Sequence, residues 1–375
     1  MKSTLKQILD RQGILVLDGS MGTALENLGA DLNNKLWTAR VLADRPELVK
    51  EVHIQYFRAG ADAGITCSYQ ASLPGLMETG YSREQAEALI TRAVQVFLDA
   101  RQEWWDAEGK QAGRSWPLCL ASAGPYGAYL ADGSEYKGHY GVSADTLRDF
   151  HRRRAELLWQ AGADALLFET EPSLMEAEVE AQIAEELGAP YWISFSCCDG
   201  RHNCEGQLLA DCARQLARNY PHLQAIGVNC TKPEYITSLI GELKGASDLP
   251  IIVYPNSGEE YDPQTKTWHG VGTDRRFGDY ALDYMKSPTP SPPAAVPARS
   301  GQTAPSSPNY PASCSWLRLP SSWASSKPGA SAVSPRIGIR NSKSPSPGSW
   351  AASSQPVPSA PISPPSDRPS PCWSR

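Results

Sequence analysis

What this chain lacks narrows its class before any motif is read. No apolar run approaches the ~20 residues needed to span a bilayer as a helix, so no membrane-spanning helix is expected. No basic run is present and the net charge is −6, which argues against nucleic acid as the main partner. Met1-Lys2-Ser3-Thr4-Leu5-Lys6 leads into a polar amphipathic segment without a signal-peptide core, so a cytoplasmic protein is expected. The nine cysteines include no C-x-x-C pair. An odd number in a chain this long fits free thiols or a metal site better than a disulfide framework. Asp18-Gly19-Ser20-Met21-Gly22-Thr23 has neither the G-x-G-x-x-G spacing nor the lysine of a phosphate loop.

The composition breaks near residue 287. Before it, helical and strand-like periods alternate as in a globular domain. From 287 to 375 Ser, Pro and Ala dominate and Asp367 is the only acid. Such a segment buries too little apolar surface to offset its ordering entropy, so disorder is expected there. Its tryptophans (Trp316, Trp323, Trp350, Trp373) are odd for an evolved linker. The expected division is a barrel domain over 1–286 and a low-complexity tail over 287–375.

Within 1–286, seven apolar β-type runs recur with helical stretches between them. They begin near residues 14, 63, 118, 165, 191, 226 and 251. Helical spacing marks 46–59, 82–100, 144–161 and 173–187; Ser82 with Gln85 three residues later is a capping-box pattern. Near-continuous apolar strands alternating with helices predict a parallel sheet covered by helices. Polar and reactive residues follow the strands, at the end where active sites gather in a (β/α)8 barrel and in open doubly wound sheets. Seven staves predict a TIM barrel with strand eight missing.

Several strand-end residues are candidates, each with a plainer alternative. Asp18 can hold a substrate ammonium, or simply face solvent in a tight turn. Glu169, after Ala165-Leu166-Leu167-Phe168, follows the same logic, with a structural salt bridge as its alternative. Cys197-Cys198-Asp199-Gly200-Arg201-His202-Asn203-Cys204 matches no zinc spacing, so free loop cysteines are favoured over a metal site. Cys230, ending Ile226-Gly227-Val228-Asn229, is a core thiol or a functional one. The Gly- and Tyr-rich stretch 124–136 is too long for a plain turn and too polar for core; it is a substrate loop or an ordinary ordered loop. Its tyrosines can face a cationic donor through their rings.

Taken in order, these pieces resemble the homocysteine S-methyltransferases, in particular the bacterial S-methylmethionine-dependent type. The matching pieces begin with Leu17-Asp18-Gly19-Ser20-Met21, Ser68-Tyr69-Gln70-Ala71-Ser72 and the stretch 124–136. Phe168-Glu169-Thr170, Gly227-Val228-Asn229-Cys230, Val253-Tyr254-Pro255-Asn256-Ser257-Gly258-Glu259 and Lys266-Thr267-Trp268-His269 complete the set. The resemblance implies a (β/α)8 barrel with one zinc ion on three cysteines, the first where Cys230 stands. The other two are adjacent in a Gly-Gly-Cys-Cys motif ending strand eight. It implies a zinc-bound homocysteine thiolate that takes a methyl group from S-methylmethionine, or S-adenosylmethionine, to give methionine. Asp18 and Glu169 would grip the amino group. Thr66, Ser68, Tyr69 and Asn229 would line the substrate pocket, and Tyr126 and Tyr129 would face the donor.

The resemblance covers roughly residues 5 to 285, and the chain departs from the pattern after that. No Gly-Gly-Cys-Cys is present, and the only later cysteines, Cys314 and Cys372, stand alone in the Ser/Pro tail. Loss of strand eight would leave strands one and seven with unpaired edges. A frame shift accounts for both losses and the odd tail. Codons for Ala294, Ala295 and Val296, read one base early from the last base of Pro293, permit two adjacent cysteines. The same frame cannot make glycines of Pro292 and Pro293, so the match is partial. The expectation is a methyltransferase by descent with two zinc ligands absent and little turnover as written. The alternatives are a betaine- or folate-dependent homocysteine methyltransferase and a non-catalytic remnant that binds amino acids without zinc.

Overall fold

The computed structural model describes residues 4–256 except 35, together with 260–262, 267–269, 280, 283, 284 and 315–318. The chain divides into two compact units, Met1–Pro328 and Gly329–Arg375, and the second lies wholly outside the described residues. The expected disorder of 287–375 therefore falls, apart from Ser315–Arg318, outside them as well.

Seven parallel strands form most of a closed barrel: β1 (Ile14–Leu17), β2 (Ala63–Ile65), β3 (Leu118–Ala123), β4 (Ala165–Glu171), β5 (Tyr191–Phe195), β6 (Leu223–Asn229) and β7 (Ile251–Tyr254). Their side chains alternate between two cores, as the period of two in a strand requires. Leu15, Leu17, Ala63, Leu118, Leu120, Ala165, Leu167, Trp192, Ala225 and Ile252 fill the barrel interior. The intervening residues, among them Cys119, Leu166, Phe168, Ile193, Ile226 and Val253, pack outward against the helices. Helix α1 (Leu5–Gln12) adds Leu5, Ile8 and Leu9 to the interior cluster, so one end of the barrel is closed by apolar side chains.

Continuing each inward row by one step toward the carboxyl ends changes its chemistry. Leu120 is followed by Ser122, Leu167 by Glu169, Trp192 by Ser194 and Gly227 by Asn229, and all four polar residues are buried. The barrel thus carries a polar layer on an apolar floor. Gly227 permits the close approach of β6 to β7: a Cβ there would lie 1.7 Å from the carbonyl oxygen of Ile252.

The helices form where the periodicity places them. Pro46–Ala59 is helical, and so is Arg83–Trp104, whose Ser82 and Gln85 make both capping-box hydrogen bonds. Ala144–Gln160 and Leu174–Leu187 follow, capped by Ser143 and Ser173. The helix from Arg83 runs four residues beyond the expected 100, and its buried face continues through Arg101, paired with Asp164, and Trp104.

No eighth parallel strand is present among the described residues. Its place between β1 and β7 is taken by a short strand, Ser315–Arg318, antiparallel to both, pairing Leu17 with Ser315 and Val253 with Trp316. The two seam edges are therefore not bare, contrary to expectation; an unpaired edge is a template for any extended segment within reach. Beyond β7 a hairpin pairs Glu260–Asp262 with Thr267–His269, while Ser257, Gly258, Glu259 and Lys266 of the sequence motifs lie outside the described residues.

Candidate active site at the barrel mouth

The polar layer supplies an acidic corner. Asp18, directly after β1, is 2% exposed; its Oδ2 accepts the backbone N–H of Ile65 at 2.9 Å, while its Oδ1 is buried without a hydrogen-bond partner. Burial pushes its carboxyl well above the usual range, and the nearby Glu169 pushes it further. Glu169 lies inside β4, not just beyond it, because the strand runs to Glu171. Its Oε1 accepts from the Ser122 hydroxyl and its Oε2 from the Tyr254 hydroxyl at 2.8 Å. Burial raises its carboxyl, and those two donors partly offset the shift. Two buried carboxylates, of which Glu169 raises Asp18 and Asp18 has an open acceptor, form a site that a cation would complete.

The second corner surrounds Cys230. Both Thr170 and Cys230 have positive φ, +70° and +47°. For a β-branched residue this is a strained backbone, costing on the order of 1–3 kcal/mol. Asn229 holds the arrangement. Its Oδ1 accepts the Thr170 N–H at 2.8 Å, and its Nδ2 donates to Thr170 Oγ1 at 2.7 Å and to Cys230 Sγ at 3.4 Å. Tyr136 and Thr170 also hydrogen-bond the thiol, yet burial first, and Glu169 second, push it up to about 12. Without a cation this thiol is protonated at neutral pH.

Thr66 and Ser68 tie β2 to β3. Ser68 Oγ donates to the Ser122 carbonyl at 2.6 Å, and Thr66 Oγ1 accepts the Ser122 N–H at 3.0 Å. With the single Ser68 hydroxyl proton used, the 2.7 Å contact between the two hydroxyls has Thr66 as donor. Tyr69 is half-buried, hydrogen-bonds Thr170 and packs edge-on against Trp37, so it bridges toward the Cys230 corner.

The stretch 124–136 folds into a short helix, Tyr126–Leu130, and a 3₁₀ turn, Ser134–Tyr136. The rings of Tyr126 and Tyr129 pack on each other and on Phe150, and the Tyr129 hydroxyl donates to Glu78. The residues of this stretch that act on the thiol are Glu135 and Tyr136. Burial pushes the Glu135 carboxyl up to about 7. Ser122 and Tyr254 could have been found from the period of two, since each stands two places beyond an inward apolar residue. Thr170 carried no such signal, because its strain belongs to the backbone.

The chain matches the family model for homocysteine S-methyltransferase over residues 15–282. It belongs to that family. A homocysteine S-methyltransferase of Bacillus subtilis (strain 168) is 48% identical over 275 residues, covering 73% of this chain and 87% of the relative. That of Escherichia coli (strain K12) is 46% identical over 269 residues, covering 72% and 86%. The metallated form of the Escherichia coli homocysteine methyltransferase MmuM superposes with a TM-score of 0.65 at 45% identity, covering 68% of this chain and 87% of that one.

A metal on three thiolates does not fit the residues described. No group of three or more His, Cys, Asp or Glu is placed to hold an ion among them. Cys197 is buried, and its thiol is raised by burial and by its neighbours Cys204, Cys198 and Cys212. Cys314 and Cys372 lie outside the described residues. Cys230 is hydrogen-bonded by Asn229 and Thr170 at strand ends and by Tyr136 of the 3₁₀ turn. No helix among the described residues is long and apolar enough to cross a membrane.

Proposed function

We propose that the barrel mouth binds homocysteine for methyl transfer to its sulfur, with S-methylmethionine as donor, and that the chain as written turns over slowly. The observation that carries this is the open Oδ1 of Asp18 beside Glu169, on the same polar layer as the Cys230 corner. An ammonium seated between the carboxylates restores their charged forms. It also donates to the buried Asp18 oxygen left unfilled. Homocysteine's chain then carries its sulfur toward Cys230, while Tyr69 and Asn229 keep that corner in place.

Slow turnover follows from the sign of the field at the sulfur. The nucleophile must be a thiolate, yet the charged groups acting on Cys230 are the carboxylates of Glu169 and Glu135, which raise a thiol. A site of this sign accepts cations and resists a thiolate. One cysteine does not make the three-thiolate site of the family, and no step of the transfer follows from a metal held by it.

Methionine formation from ¹³C-methyl S-methylmethionine and homocysteine, followed by NMR alongside the Escherichia coli relative, tests the proposal. We expect a rate lower by on the order of 100-fold or more, the scale of losing several kcal/mol of charge stabilisation, with less than one zinc per chain. A comparable rate with one zinc per chain would overturn the second half; no homocysteine binding at all would overturn the first.

A further inference from the structure

Asp18 accounts for one positive charge, the ammonium of the acceptor substrate. The proposed donor carries another, on its sulfur, and that charge needs a counterpart of its own. The 3₁₀ turn Ser134–Tyr136 brings a carboxylate to the thiol corner. Ser196, after β5, donates its hydroxyl to the Glu135 carbonyl at 2.8 Å, which fixes the turn over the strand ends. Gly127 lets the preceding helix lie against it, since a Cβ there would be 2.5 Å from the Glu135 nitrogen. Tyr136, the next residue, hydrogen-bonds the Cys230 thiol.

The Glu135 side chain stands among Tyr69 from the end of β2, Cys204 from the loop after β5 and Cys230 from the end of β6. On its own loop Asp132 opposes its charge and Lys137 favours it. Its Oε2 is buried and has no hydrogen-bond partner. A buried carboxylate oxygen without a partner is costly in the free protein and is stabilised by a ligand that brings positive charge.

We propose that Glu135 is the residue that recognises the sulfonium of the methyl donor. This rests on the donor class proposed above. In the transfer, the bond from the methyl carbon to the donor sulfur breaks and a bond to the homocysteine sulfur forms. The donor departs as a neutral thioether and the homocysteine thiol releases its proton to solvent water, so the one positive charge leaves as that proton. Glu135 therefore faces a cation before transfer and a neutral sulfur after it. Such a contact is strongest in the ground state, so it contributes donor affinity and product release and does not lower the barrier. It also selects against neutral thioethers of the same shape, whose binding would leave the carboxylate unpaired.

Isothermal titration of the full-length chain at neutral pH tests the assignment. The probes are S-methylmethionine and its uncharged carbon isostere, 2-amino-5-methylhexanoic acid, each with homocysteine present. We expect the sulfonium to bind about 10-fold more tightly than the isostere, the scale of one charge-assisted contact. Glu135→Gln brings that ratio close to one without changing affinity for the isostere or for homocysteine. Glu135→Asp, which keeps the charge but retracts it, gives an intermediate ratio and guards against loss of fold in the first variant. A sulfonium preference undiminished in both variants overturns the role of Glu135 and leaves the donor standing. No sulfonium preference in the unmodified chain overturns the donor reading and this inference with it.

Discussion

The two corners of the barrel mouth are built on different principles. The Asp18–Glu169 corner is supported on every side: Ser122 and Tyr254 hold Glu169, and the Ile65 backbone holds Asp18. All of its parts come from β1, β2, β3, β4 and β7, before residue 256. The Cys230 corner is a strained pair of residues braced by one asparagine around one thiol. The further thiolates that the family resemblance implies would come after β7, where the described residues beyond 256 are a hairpin, Tyr280, Asp283, Tyr284 and Ser315–Arg318. On the proposed reading, the amino-acid grip and the methyl-transfer chemistry draw on different segments, so one can be kept while the other is lost.

The strongest way to break this contrast is to restore the absent segment. Replacing 287–375 with the corresponding C-terminal segment of the Bacillus subtilis relative should raise methionine formation by on the order of 100-fold or more. Homocysteine affinity should rise far less. An unchanged rate in a folded, zinc-loaded chimera would place the defect elsewhere.

Next in size is removal of the charge at the intact corner. Asp18→Asn should weaken homocysteine binding roughly 10- to 100-fold, the scale of a buried charge-assisted hydrogen bond. Isothermal titration reads this directly, and an unchanged affinity would remove Asp18 from the site.

At the strained corner the effect should appear in stability. Asn229→Ala deletes the acceptor for the Thr170 N–H and the donor to its hydroxyl. It should cost about 2 kcal/mol in chemical denaturation, with the left-handed backbone no longer braced. A loss of homocysteine affinity without loss of stability would instead make Asn229 a direct substrate contact, as the family resemblance implies.

The smallest effect is a reference point away from both corners. His53 is buried against Phe57 and Phe97 with neither ring nitrogen hydrogen-bonded, and burial lowers it from 6.5 to about 3. A group depressed in the folded state costs stability as pH falls below its unfolded value, because only the unfolded chain takes up the proton. Between pH 6.5 and about 3 this loss grows; at pH 5.5 it is about 1.4 kcal/mol. His53→Leu should abolish that share of the pH dependence of the denaturation midpoint while leaving ligand binding alone.

Much of this was legible in the residues themselves. The runs at 14, 191 and 251 are strands with the expected bounds, because an uninterrupted apolar stretch between turn residues admits little else. Glu169 was expected past its strand and lies within it, since β-pairing to Ser194 outweighs the poor strand propensity of a glutamate. Tyr126 and Tyr129, the expected donor-facing residues, pack their rings with Phe150 in an aromatic cluster, which composition alone does not reveal. The antiparallel strand at Ser315–Arg318 was invisible for another reason. Its pairing depends on two open edges far away in sequence, and its own residues carry no strand period.

The central claim is that this chain keeps the homocysteine grip without the metal centre. Titrating homocysteine into the full-length protein before and after exhaustive treatment with a strong chelator tests it most directly. We predict the same affinity in both, and a weaker one in Asp18→Asn under either condition. Binding that disappears with the chelator and returns with added zinc would contradict it.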